Sequence, residues 1–327
     1  VSIKKMRNQH IFSCVDLWNQ VSETDDFLYK HIDAIIFEDK FLKKHNDYDI
    51  ISYVCEENDS VIGFISGVAY PQRKKAYVTM IMVDFKHQRR HIGTDLLTTF
   101  ETHIKKEYKE IESIDLVFFN PVTLTWIIPK TKSDDHPNSP GVDMKSKALS
   151  FFNALGYQTF AIQNSYYKDI RNYEYPKDTL SLIESLKNQK IHIGYASLKL
   201  TGFNELFDNL NNPIWKSEIK HALENDQPVL IAEKDGQMIG FTGPLSVQDS
   251  LRGYFTGIGV HSDYRGFGIG KVLFSSLCYH LRDIGAHYMT LFTGENNPAR
   301  HIYEHEGFKI VRSWADMRKE LWKCLKQ

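Results

Sequence analysis

Apolar and polar positions along this chain fall into blocks whose period switches between two and about 3.6 residues, the spacings of strands and helices. Val78–Val83 reads as a strand, and Ile92, Leu96, Leu97, Phe100 and Ile104 recur as one buried face of a helix. The order returns later in the chain. Arg252–Val260 is β-favouring through Tyr254, Phe255, Ile258 and Val260, and Ile269, Val272, Leu273, Ser276, Leu277 and Leu281 then stripe a helix. Gly257 and Gly259 inside that strand point to a bulge or to close approach of a ligand backbone. Val229–Ala232 and Met238–Thr242 flank Asp235-Gly236, a dipeptide suited to a tight hairpin turn. Ala286–Phe292 predicts one more strand, and Asp178–Asn188 a helix with Leu180, Ile183 and Leu186 at helical spacing.

These blocks are two copies of one unit. Ile62-Gly63-Phe64-Ile65-Ser66-Gly67 matches Ile239-Gly240-Phe241-Thr242-Gly243, and 30 residues separate both Gly63 from Gly93 and Gly240 from Gly270. Equal spacing across a strand, a loop and a helix start is the mark of a duplicated folding unit. Beyond that point the copies differ in length: Gly93 to Gly156 is 63 residues and Gly270 to Gly307 is 37. The surplus falls between Asn120 and Lys145, where Pro121, Trp126, Pro129, Pro137, Pro140 and Gly141 give a loop composition. The expected organisation is a first domain over 1–175 with an insertion near 121–145, a connecting helix over 176–188 and a second domain over 189–327. Each is expected to be α/β, a mixed and mostly antiparallel sheet flanked by helices.

The stretch Val260-His261-Ser262-Asp263-Tyr264-Arg265-Gly266-Phe267-Gly268-Ile269-Gly270-Lys271 carries the chemistry. Here a strand passes through a glycine-rich turn into an amphipathic helix, whose first N–H groups lack partners and carry partial positive charge. Such a turn cradles phosphate, and side chains at Gly268 or Gly270 would hold phosphate oxygens away. The pattern Arg-x-x-Gly-x-Gly, with Asn296-x-x-Ala299-x-x-x-Tyr303-x-x-x-Gly307-Phe308 downstream, resembles the GNAT N-acetyltransferases. The two-domain arrangement is similar to that of mycothiol synthase-like proteins.

The resemblance implies acetyl-CoA as the acyl donor and direct attack by a primary amine, in the second domain. It implies that Ile258, Gly259 and Val260 pair with the pantetheine arm where the fourth and fifth strands splay. Arg265, Gly266, Phe267, Gly268, Ile269, Gly270 and Lys271 would surround the pyrophosphate. Tyr303 stands where the family often keeps the tyrosine that protonates the leaving thiolate, and Asn296 would contact the cofactor arm. Packing beside Phe308 is the other reading of Tyr303, and capping of the following helix that of Asn296. The strand holds no carboxylate, so no general base is named among Asp249, Glu218, Asp226, His261 and water.

The first copy has lost much of this pattern. Four residues before the helix-ending glycine, Tyr303 becomes Phe152, and Asn296 corresponds to Lys145. His91 occupies the place of Gly268, where it would crowd a pyrophosphate unless the turn has opened. Val83, Gln88, Arg89, Arg90, His91, Ile92, Gly93 and Thr94 form a possible weak second anion site. The first copy is therefore expected to be catalytically silent, with a structural or regulatory role in which its insertion helps shape the acceptor site of the second.

Composition narrows the partners. Forty basic and forty-one acidic residues give a net charge of -1, against nucleic-acid binding and against an aminoacyl-tRNA-dependent transferase, which would show a basic surface. Cys14, Cys55, Cys278 and Cys324 lie apart, suggesting neither disulfides nor a metal site. No membrane span or signal-peptide core is recognisable, so a cytoplasmic protein, monomer or homodimer, is expected. The acceptor is a small-molecule amine or a peptide N-terminus. The non-catalytic alternative is an acyl-CoA sensor or scaffold.

Overall fold

The computed structural model describes residues 1–23, 27–197 and 200–322. It divides into two compact units, Val1–Ser165 with the chain from Val311 onward, and Tyr166–Ile310. The sequence places the boundary at the connecting helix, whereas contacts place it inside two strands. β9 (Gln158–Asp169) and β17 (Lys309–Glu320) each change unit along their length. Hydrophobic periodicity marks a segment as a strand without saying which sheet edge it joins, so this exchange leaves no trace in the pattern.

The first unit begins with β1 (Ser2–Lys5), α1 (Ile11–Ser22) and α2 (Ala34–Phe41), then β2 (Asp49–Glu57), β3 (Ser60–Tyr70) and β4 (Lys75–Val83). After α3 (Ile92–Glu107) and β5 (Ser113–Leu116) comes the insertion. It holds three two-residue strands, β6 (Trp126–Ile127), β7 (Asp135–His136) and β8 (Val142–Asp143), before α4 (Lys147–Ala154) and β9. The expected plain loop is thus partly ordered, strands this short being invisible to a period-two pattern. The strand order is β1-β2-β3-β4-β5-β17-β9, and from β1 to β17 the pairs are antiparallel except for β4 with β5. Trp18, Phe37 and Phe41 pack one face against Phe64, while Ile92, Leu96, Leu97, Phe100 and Ile104, the predicted stripe of α3, are buried on the other.

The second unit starts from the end of β9 and continues through α5 (Lys177–Asn188), β10 (Ile191–Tyr195), α6 (Phe203–Leu210), α7 (Pro213–Glu224), β11 (Leu230–Lys234) and β12 (Gln237–Gly243). The hairpin turn is as expected, with Asp235 and Gly236 both at positive φ. β13 (Ser246–Val247), β14 (Arg252–Tyr254), β15 (Gly257–Val260), α8 (Ile269–Asp283), β16 (Tyr288–Gly294) and α9 (Arg300–His305) complete it. Arg252–Val260 is not the single strand expected. β14 runs parallel to β16, whereas β15 leaves it to close the antiparallel sheet β10-β11-β12-β15. The predicted stripe of α8 is buried in full.

Among the described residues no helix is long and apolar enough to cross a membrane, and no cluster of three or more metal-ligating side chains forms. Cys14, Cys55 and Cys278 are buried free thiols, and Cys324 lies outside the described residues.

Candidate active site

In the second unit the run through β14 and β15 pairs first with β16 and then with β12. Buried Arg252 fixes the β14 end, its guanidinium donating to the Thr290 carbonyl at 2.7 Å and to the Gln248 side chain at 3.0 Å. Past Tyr254 the chain leaves β16, and β15, paired with β12, leads directly into the loop.

The loop is shaped by a short helical turn over Ser262–Tyr264 and by two left-handed residues, Gly266 at φ 85° and Gly268 at φ 83°, the latter capping α8. Tyr264 and Arg265 donate their N–H groups back to His261 and Ser262, and Val272 donates to Gly268. Between them the backbone N–H groups of Gly266, Phe267, Gly268, Ile269, Gly270 and Lys271 have no acceptor among the described residues. Six unsatisfied donors at a helix N-terminus form an anion cradle. Arg265 is exposed beside it, its Nε donating to the Val260 carbonyl at 3.2 Å. Lys271 is engaged elsewhere, 2.5 Å from Asp178 of α5, which also meets His305 at 2.8 Å. These two partners hold the Asp178 carboxyl down to about 2.

The glycines of β15 serve packing. A Cβ on Gly257 would lie 2.5 Å from the Trp215 ring, and one on Gly259 2.7 Å from Leu210. The close approach expected of a ligand is made by helices α6 and α7.

On α9, Tyr303 is 7% exposed, with its ring 4.9 Å from Phe274 and 5.9 Å from Tyr166. Its hydroxyl has no hydrogen bond among the described residues, and burial pushes its pKa up to about 12. Its ring is thus packed in the core, with the O–H unengaged. Asn296 is exposed and does not cap α9, because the helix starts four residues later and Asn297 accepts the Ala299 N–H at 3.0 Å. Asp249, Glu218 and Asp226 are exposed, and the ring of His261 accepts the Asp263 N–H within the loop.

Two neighbours of Tyr303 escaped the sequence reading. Tyr166 donates to Glu304 at 2.9 Å, which Arg300 also grips at 3.1 Å. Burial first, then that carboxylate, raises Tyr166 to about 12, while the Tyr166 and Arg300 contacts hold Glu304 low. Tyr166 lies 137 residues before Tyr303 on a strand with no local motif, and only the fold joins them.

The first-unit loop keeps the shape of the second. Arg89 at φ 63° and His91 at φ 62° stand in the left-handed region where the second unit has Gly266 and Gly268, and His91 caps α3 as Gly268 caps α8. The turn has not opened. The N–H groups from Arg89 to Thr94 likewise find no acceptor among the described residues, and the exposed His91 side chain is no part of the core. Arg90 is paired with Glu57 at 2.7 Å, and Gln88 reaches the Val83 carbonyl at 3.4 Å. Ile92 is buried below the loop. Phe152, the counterpart of Tyr303, is buried and carries no hydroxyl.

The acetyltransferase (GNAT) family model matches the sequence twice, over residues 14–121 and 197–308, more than half of the chain. The chain belongs to the GNAT acetyltransferase family. Among curated proteins, mycothiol acetyltransferase of Thermomonospora curvata is 36% identical over 81 residues, 24% of this chain and 27% of that protein. The [ribosomal protein bS18]-alanine N-acetyltransferase of Haemophilus influenzae is 33% identical over 89 residues, 27% of this chain and 57% of the relative. The matches to the mycothiol acetyltransferases thus span about a quarter of those proteins. A tandem GNAT protein from the clavulanic acid biosynthesis pathway superposes with TM-score 0.60 at 14% identity, over 98% of both chains. A GCN5-related N-acetyltransferase of Sphaerobacter thermophilus gives TM-score 0.62 at 13% identity, over 98% of this chain and 95% of that one. At such identities the structures show the fold, two GNAT units in tandem.

Proposed function

We propose that this GNAT protein is an acetyl-CoA-dependent N-acetyltransferase whose second unit carries the reaction, with a primary amine on a small molecule or a peptide N-terminus as acceptor. The carrying observation is a Tyr303 whose ring is packed in the core and whose hydroxyl has no hydrogen-bond partner among the described residues. At a pKa of about 12 it stays neutral through the physiological range, so it acts as a proton donor and not as a base.

The donor-binding parts fit the same reading. Six free N–H groups and Arg265 suit a pyrophosphate, and Ile258, Gly259 and Val260 lie where β15 has parted from β14's neighbour β16. Acetyl-CoA, when bound, supplies a thioester carbonyl open to attack by an amine. The chain's own work is to hold the phosphates on the loop, to accept the pantetheine along β15 and to keep a proton on Tyr303 for the departing thiolate. The names of two relatives, an alanine N-acetyltransferase and an L-amino acid N-acyltransferase, support an amino-group acceptor. A cytoplasmic location belongs to the same reading.

A second reading rests on the first-unit loop. Its retained backbone favours a second anion site there, without chemistry because Phe152 offers no proton.

The test is Tyr303→Phe, assayed with acetyl-CoA and a panel of primary amines. Turnover should fall about 10²-fold or more with acetyl-CoA affinity little changed. Equal turnover would return Tyr303 to packing alone.

A further inference from the structure

Glu306 caps the C-terminus of α9, is 1% exposed and has no part in the acyl-transfer reading. Its Oε1 accepts the Ser275 hydroxyl at 2.6 Å and lies 3.2 Å from Nδ1 of His305, and its Oε2 accepts the Tyr173 hydroxyl. Burial above all raises the pKa of Tyr173, so that hydroxyl keeps its proton and donates. The ammonium of Lys168 donates to the Glu306 main-chain carbonyl. One residue thus ties the end of α9 to α8 through Ser275, to the segment before α5 through Tyr173 and to the end of β9 through Lys168.

α9 has only six residues, and isolated helices shorter than roughly 12 are marginal in water, so its position is set by what it touches. Tyr303 and Glu306 stand at i and i+3 and share one face of the chain there. Adjacent residues of α8 receive them: Phe274, its ring 4.9 Å from that of Tyr303, and Ser275. Ring packing is non-directional and tolerates sliding, whereas a hydrogen bond weakens steeply off its axis. The Tyr303 hydroxyl has no bond of its own among the described residues. The aim of its O–H therefore follows the rotation of α9, and Glu306 is the residue that fixes that rotation.

The first copy separates this role from plain stabilisation. Counted from the helix-ending glycines, Leu155 stands in the place of Glu306 and Phe152 in that of Tyr303. Leu155 packs against the apolar core, so an apolar side chain suffices there where no hydroxyl has to be aimed. The buried carboxyl in that part of the first unit, Glu101, belongs to α3 and accepts the Tyr157 hydroxyl at 3.0 Å, beyond the end of α4. Apolar replacement of a buried polar network is often neutral or stabilising, so holding a helix in place does not require one. The network accompanies the phenol.

We propose that Glu306 is a positioning residue for Tyr303, its carboxyl setting the rotation of α9 through Ser275 and Tyr173. This rests on the reading of Tyr303 as the proton donor.

The test is a double-mutant cycle of Glu306→Leu with Tyr303→Phe, in the full-length protein with acetyl-CoA and the primary amine turned over fastest in the panel. In the wild-type background Glu306→Leu should lower kcat about tenfold or more, while KM for acetyl-CoA changes less than about twofold and the melting temperature holds or rises. In Tyr303→Phe the same change should alter kcat less than about twofold, because residues that act as a unit do not add. Glu306→Gln, which keeps an oxygen for Ser275, should recover most of the loss. Ser275→Ala, a milder cut, goes through the same cycle and decides the matter if Glu306→Leu folds poorly. A second readout needs no acceptor. With carbon-13-labelled tyrosine, the Tyr303 ring signal, assigned by its loss in Tyr303→Phe, should shift or broaden in Glu306→Leu. An unmoved signal overturns the proposal, as does wild-type kcat in Glu306→Leu or an equal loss in both backgrounds. Wild-type turnover by Tyr303→Phe alone overturns the acid reading and the proposal with it, whereas an impaired Tyr303→Phe with additive losses overturns the proposal alone.

Discussion

The side chain of Leu182 occupies the space beside Gly268, with its Cδ2 only 2.5 Å from where a Cβ on that glycine would lie. Gly268 is also at φ 83°, so two separate constraints exclude a side chain there, one from the backbone and one from α5. Neither involves a ligand. Gly270 differs: its backbone is ordinary helix, and a Cβ would sit 3.4 Å from Ile302.

Gly268 and Gly270 should accordingly separate stability from binding. Gly268→Val is expected to destabilise the second unit by roughly 2 kcal/mol or more, through left-handed strain and overpacking. Gly270→Val should change the melting temperature much less, yet both should weaken acetyl-CoA binding in calorimetry. Wild-type affinity in Gly270→Val would remove the loop from the donor site.

Much of this was legible because it is local. The Gly240–Gly270 spacing, the Asp235-Gly236 turn and the stripes of α3 and α8 are set by neighbours within about 30 residues, where period and turn chemistry act directly. What was lost is non-local. The exchange of β9 and β17 between units, the packing of Trp215 against Gly257 and the pairing of Tyr166 with Glu304 depend on contacts that no pattern encodes. His91 teaches a separate lesson. A loop left with Gly93 alone reads as altered, yet His91 and Arg89 adopt the left-handed backbone at a strain cost and preserve the shape.

Asp178 should restrain donor binding. Its carboxylate sits 2.5 Å from Lys271, beside the loop's free N–H groups, and is held at about 2, so it remains ionised at every pH above about 4. Asp178→Asn should free the ammonium for phosphate and tighten acetyl-CoA roughly three- to tenfold at low salt, an advantage that shrinks as salt screens it. Titration at two ionic strengths and one fixed pH should show the gain at low salt and its loss at high salt. A weaker complex would mean that Lys271 serves only to hold α5.

Acid sensitivity of the first unit should trace to Asp115. This carboxylate is 1% exposed. Burial pushes its pKa up, but hydrogen bonds from Arg318 at 2.7 Å and Lys75 at 2.8 Å outweigh that and leave it low. A folded-state pKa below the unfolded one contributes stability above about pH 4, lost as pH falls through the folded value. Arg318→Met removes one partner and should cost about 3 kcal/mol at pH 7. It should also move the acid-unfolding midpoint to higher pH, measured by circular dichroism. An unchanged midpoint would show that Lys75 alone keeps the carboxylate ionised.

The last prediction sets the two loops against each other. Both present six free N–H groups behind paired left-handed residues, but only the second has an acid at the expected place, Tyr303 against Phe152. Gly93→Val and Gly270→Val should therefore differ in kind: the second abolishes turnover, whereas the first lowers acetyl-CoA stoichiometry or leaves it unchanged and spares turnover. Relief of strain gives an independent check, since glycine adopts the left-handed backbone without its steric cost. His91→Gly should be neutral or stabilising by up to about 1 kcal/mol if His91 is held there only by the fold. Should Gly93→Val abolish turnover and Gly270→Val spare it, catalysis belongs to the first unit, and the free hydroxyl of Tyr303 has no part in it.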